Sequence, residues 1–114
     1  MRTAVTTSSG SLTAMPIRQR HHAISVVRAR PSTQLDEERI RRDCAIWIAD
    51  RARTRPVIDV IYTRRFVFVT VELTSSTDSP HLMLLAVQLA CENLVAQATQ
   101  YGLVEASVAN RLAD

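Results

Sequence analysis

The sequence predicts an α+β fold with the element order β-α-β-β-α-β, two helices on one face of a four-stranded antiparallel sheet. Three observations predict it. A β-prone run over 57–73 is interrupted only by Thr63-Arg64-Arg65. Helical stretches over 33–54 and 79–100 stand on either side of that run. Segments of strand character at 21–30 and 102–109 complete the order.

The first twenty residues are rich in Ser and Thr, contain no acid and show no clean period. They read as a flexible basic tail ahead of a single domain over 21–114. An acid-poor leader with Arg and Ser is also the composition of a transit peptide, but these β-branched residues make a poor amphipathic helix. Met15 offers a second start, which leaves open whether 1–14 belong to the mature chain. The stretch 21–30, "HHAISVVRAR", has strand propensity, with Ile24, Val26 and Val27 at its centre and Pro31 ending it. In the helix over 33–54, Thr33 is the expected cap, with Asp36 three residues on. Leu35, Ile40, Cys44, Trp47, Ile48 and Arg51 fall near one face at the helical period. Glu37–Arg41 and Glu38–Arg42 have the favourable i,i+4 order. Arg51, Arg53 and Arg55 sit where the helix dipole favours cations, and Pro56 stops the helix.

A single strand through 57–73 would extend about 56 Å at roughly 3.3 Å per residue. That overhangs a domain whose radius of gyration is about 13 Å, so the chain turns back at the arginines. Loop parity then sets the faces. An odd loop would place Asp59 among Val57, Ile61, Val67, Val69 and Val71, and an unpaired carboxylate there is costly. An even loop keeps Ile58, Val60 and Tyr62 with Val67, Val69, Val71 and Leu73. Four residues, Thr63–Phe66, suit the turn better than two, because Arg64-Arg65 are poor at positive φ.

The second helix opens at Ser79-Pro80, a cap followed by proline at the first helical position. It runs to about Gln100, and Gly102 suits the left-handed residue that ends it. Its polar stripe is narrow, leaving an unusually apolar surface. "GLVEASVA" (102–109) alternates as a last strand would, with a short helix as the rival reading. The whole order is ferredoxin-like. The helices are expected to cover Ile24, Val26, Ile58, Val60, Val67, Val69, Val71, Val104 and Val108. The far sheet face is then expected to show Ser25, Val27, Val57, Ile61, Phe68, Thr70, Glu72 and Leu103, with Phe66 beside it. Such an apolar face calls for a partner.

Composition narrows the function. The chain is 46% hydrophobic but only 4% aromatic, a globular balance with an aliphatic core. No apolar run approaches the roughly 20 residues that span a bilayer. All fourteen basic residues are arginine. Residues 1–65 carry thirteen of them against six acids, a net +7, while 66–114 are net −4. Such polarity can steer an acidic partner, or a second copy head to tail. Cys44 and Cys91 show neither zinc nor disulfide spacing and read as buried thiols of a cytoplasmic protein.

Gly10 and Gly102 are the only glycines, so no phosphate-cradling loop and no nucleophile elbow can be assembled. His21, His22 and His81 show no metal-ligand spacing, and no triad is marked. No cofactor and no metal are expected. Asp59 and Tyr62 are the only candidates for a general acid or base, the solvated strand carboxylate being the bland alternative for Asp59.

"RRFVFVTV" (64–71) resembles the third-strand signature of RNA-recognition domains at Arg64, Phe66, Phe68 and Val69. It departs from it at Arg65, Val67 and Val71, and Ser25 stands on the first strand where a stacking aromatic is expected. The resemblance implies single-stranded nucleic-acid contact by Phe66 and Phe68, with Arg28, Arg30, Arg64 and Arg65 on phosphate. The reading set ahead of it is a non-enzymatic module that self-associates, or binds another protein, through the sheet face or second helix. Ile61, Phe66, Phe68 and Leu103 would then be central, in a symmetric dimer.

Overall fold

The structure, a computed structural model, describes residues 19–109. Most of the tail expected over 1–20 therefore lies outside the described residues. The elements are β1 (His21–Pro31), α1 (Glu37–Ala49), β2 (Val57–Tyr62), β3 (Val67–Ser75), α2 (Pro80–Ala96), a 3-10 turn (Ala98–Tyr101) and β4 (Leu103–Ala109). The four strands form one antiparallel sheet in the order β2-β3-β1-β4. The class is α+β, and the last segment is a strand, not the rival helix.

The hairpin turns as its parity requires. Tyr62 pairs with Val67, so 63–66 form a four-residue loop. Thr63 closes it: its N–H donates to the Phe66 carbonyl at 2.8 Å, and its hydroxyl accepts from the Phe66 N–H at 3.1 Å. Ile58, Val60 and Tyr62 pair across to Val71, Val69 and Val67. Val67, Val69, Val71 and Leu73 are wholly buried on that face, and each such side chain is worth roughly 1.5–3 kcal/mol relative to exposure.

The first strand lies the other way up from the sequence expectation. Ser25 pairs with Val71 and Val27 with Val69, so Ala23, Ser25, Val27 and Ala29 face the core. Ile24 and Val26 join Glu72 and Thr70 on the open face. The physical reason is closeness: α2 lies chiefly over β1, and small side chains let the helix approach. Ser25 comes close to the Cys91 thiol of α2 and works against the rise of its pKa.

The last strand also departs. Leu103 pairs with Pro31 and is wholly buried, while Val104 pairs with Arg30 on the open face. Between Arg28 and Arg30 the partner shifts from Ser107 to Val104, so β4 carries one extra residue there. Glu105 takes φ 53 at this bulge. The extra residue restores Ala106 to contact with the core and aligns Val108 with Val27.

Both helices pack on the valine face. Ile40, Cys44 and Ile48 of α1 meet Met83, Val87, Ala90, Cys91 and Leu94 of α2 in one cluster, with Trp47 and Leu35 partly buried at its margin. Asp36, not Thr33, caps α1, accepting from the Arg39 N–H at 3.2 Å. Residues before it are held to the start of β4 instead, through Ser32 N–H to Gly102 O and Asp36 N–H to Tyr101 O. The helix ends at Ala49, short of 54. Arg41 reaches Glu37 at 3.3 Å as expected, whereas Arg42 turns to Asp43 rather than Glu38. Ser79 and Pro80 begin α2 as the sequence predicts, and Gly102 is left-handed at φ 85. Only Leu82 and Leu85 of that helix are exposed large apolar residues, so its greasy surface is mostly core.

Candidate functional site

The face of the sheet away from the helices is built from alternate residues of all four strands. The edge strand β2 presents Val57, Asp59 and Ile61. The neighbouring β3 presents Phe68, Thr70 and Glu72, β1 presents Ile24, Val26, Arg28 and Arg30, and β4 adds Val104 and Ser107. Val57 is 56% and Ile61 50% exposed. In the middle of the face Val26 and Thr70 are buried. The face thus has an apolar rim on β2 and a closed centre.

Its two ends differ in chemistry. At one end His22 Nε2 meets Glu72 Oε2 across β1 and β3. At the other end Arg28 lies opposite Phe68, with its guanidinium 5.2 Å from the centroid of the Phe66 ring. Phe66 and Phe68 have centroids 6.4 Å apart and planes tilted by 59°, an edge-to-face tendency that suits aromatic pairs. Arg64 and Arg65 are exposed at the tip of the same hairpin. Arg30 stands one step further along β1 and reaches Glu105 at 3.5 Å.

The structure therefore brings Ile61, Phe66, Phe68, Arg28 and Arg30 to one end of one face, beside the turn holding Arg64 and Arg65. It does not bring Leu103 there. That residue is in the core because β4 starts directly after the left-handed Gly102 and turns its first side chain inward.

Asp59 and Tyr62 lie on opposite faces of the sheet and are not brought together. Asp59 is on the open face, across from Thr70. Tyr62 lies on the opposite face and donates its hydroxyl to Glu37 Oε2 at 2.6 Å. That bond, then slight burial, raises the phenol above its ordinary value. Among the described residues, no group of three His, Cys, Asp or Glu is placed to hold a metal ion. Cys44 and Cys91 are free and wholly buried. Burial pushes the Cys44 thiol up to about 12 and the Cys91 thiol up to about 11, so neither serves as a nucleophile near neutrality.

One polar centre had no place in the sequence expectations. Asp78, nearly buried, accepts at Oδ2 from the Arg53 N–H (3.3 Å), the Thr54 N–H (3.2 Å) and the Thr54 hydroxyl (2.9 Å). It fixes the α1–β2 connection against the start of α2. Its signal is the S-x-x-D spacing from Ser75, whose hydroxyl accepts from the Thr77 and Asp78 N–H groups.

No helix among the described residues is long and apolar enough to cross a membrane. Comparison with models of protein families, with curated proteins and with solved structures yields no match.

Proposed function

We propose that this chain is a non-enzymatic interaction module of ferredoxin-like topology that forms a homodimer through the open face of its sheet. The observation that carries the reading is the apolar edge of that face. Val57 and Ile61 stand 56% and 50% exposed on one strand, continuous with Phe68 and Phe66. Leaving such side chains in water forfeits the burial energy that a partner would recover. The same face carries Arg28 and Arg30 toward one end and Glu72 toward the other. A copy turned end for end sets opposite charges over one another, as a two-fold interface favours. Two free buried thiols fit a reducing, cytoplasmic setting. Sedimentation is the test: dimer mass at micromolar concentration, weakened only slightly by salt because apolar burial carries most of the contact, is expected, and a strict monomer at high concentration overturns the reading.

A second reading rests on its own observation, the Arg28 guanidinium over Phe66 beside Phe68. That cluster, with Arg64 and Arg65 at the turn, offers stacking surface and phosphate-directed charge to a single-stranded nucleic acid. It predicts oligonucleotide binding that weakens steeply with salt and is lost in Phe68→Ala. No binding at low salt removes it.

A further inference from the structure

A second surface lies away from the sheet's open face. Where the last turns of α1 meet the segment leading into β2, the molecule has an open depression of about 340 Å³. That is at the small end of the roughly 300–1,000 Å³ typical of ligand sites. Its apolar lining comes from Ile46, Ala49 and Pro56, and its charge from Arg42, Arg53 and Arg55. Ile46 is 57% exposed, the highest value among the large apolar side chains of the described residues.

The three arginines find little counter-charge among the described residues. Among the described residues the one ion pair that reaches any of them runs from Arg42 Nε to Asp43 Oδ1 at 3.9 Å. Asp43 is already engaged by the Tyr101 hydroxyl at 2.6 Å and by Arg39 at 3.7 Å. The depression is also held in shape. Arg51 and Ala52 N–H groups bond back to Ile48 O at 2.9 and 2.8 Å, and Asp78 anchors Arg53 and Thr54 through the bonds described above. The backbone that carries Arg53 and Arg55 is therefore positioned before any partner arrives, which lowers the ordering cost of binding.

Guanidinium groups pair with carboxylates through parallel hydrogen bonds. The lining holds no aromatic ring on which a base would stack, and it is too open to enclose a small anion. An extended segment that lies across it satisfies both its charge and its apolar floor. We propose that the depression binds an acidic peptide segment of a partner protein, with an aliphatic side chain against Ile46 and flanking carboxylates on Arg42, Arg53 and Arg55.

The test is fluorescence anisotropy of the full chain with a labelled synthetic peptide of Asp and Glu carrying two central leucines. Saturable binding is expected. It weakens by about tenfold or more in the double variant Arg53→Ala/Arg55→Ala, and by several-fold in Ile46→Ser or when the peptide leucines become serine, a tenfold loss being about 1.4 kcal/mol. All three positions are exposed, so unchanged melting of the variants verifies folding. No binding at low salt overturns the proposal, as does binding indifferent to the arginine or Ile46 changes. Displacement by a single-stranded oligonucleotide, with equal affinity for the serine peptide, also overturns it and marks a general anion surface.

Discussion

Asp78 holds Thr54 twice, through the Thr54 N–H and the Thr54 hydroxyl, both on the same carboxylate oxygen. These residues lie at the ends of two different connections, so the contact joins the start of α2 to the entry of β2. Asp78→Ala leaves two backbone donors and a hydroxyl without their acceptor. It is expected to lower unfolding free energy by about 2–4 kcal/mol, with Asp78→Asn costing less because one oxygen remains. Urea denaturation of the three proteins checks the order.

Gly102→Ala should also destabilise the fold, for a steric reason. The backbone there is left-handed at φ 85, and an added Cβ would stand 2.9 Å from Gln34 O and 3.1 Å from Thr33 Oγ1. The nearest atom is backbone and cannot swing away. A loss of about 1–3 kcal/mol in denaturant unfolding is expected.

Leu103 and Ile61 separate stability from association. Leu103→Ala empties a fully buried site and should cost about 2–5 kcal/mol. Ile61→Ser alters a half-exposed side chain and should leave stability within about 0.5 kcal/mol. It should instead shift the proposed dimer toward monomer in sedimentation. Equal association in Ile61→Ser and the parent would remove the sheet face as the contact.

The two thiols report on the core. Neither should react with an aromatic disulfide reagent at about pH 8 in the native state, and both should react in denaturant. Their folded pKa values lie above the ordinary 9.0, at about 12 for Cys44 and about 11 for Cys91. The neutral thiol is thus favoured by folding. This contribution is fully present below about pH 9 and is lost as pH rises through about 11 and 12. Denaturant midpoints at rising pH should fall, and less steeply in Cys44→Ala/Cys91→Ala.

The hairpin was legible because Asp59 breaks the apolar run at one parity only, so that only an even loop keeps it out of the core, and the arginines at the turn favour four residues over two. The first strand was not, because its two faces are nearly equal in apolar character. Bulk at Ile24 and Val26 points one way, while small Ala23, Ser25 and Ala29 suit a close helix. Arg28 and Arg30 share parity with Ile24 and Val26, and that charge was the available signal that this side meets water. The last strand hid its bulge: nothing local in "LVEASVA" marks Glu105 for a positive φ, a conformation few such residues adopt. The apolar rim at Ile61 and Phe68 followed from the hairpin. The Arg28–Phe66 stack needed the pairing of β1 with β3, which joins residues distant in the chain.

The bulge at Glu105 also shapes one border of the sheet. A sheet grows without limit when its outermost strands offer straight, unfilled ladders to newcomers. Here one border is kinked by the extra residue of β4, and at the other the Arg41 side chain donates to the Ile58 carbonyl at 3.3 Å. Strand addition at either border is thereby disfavoured, a safeguard suited to a lysine-free chain rich in valine strands.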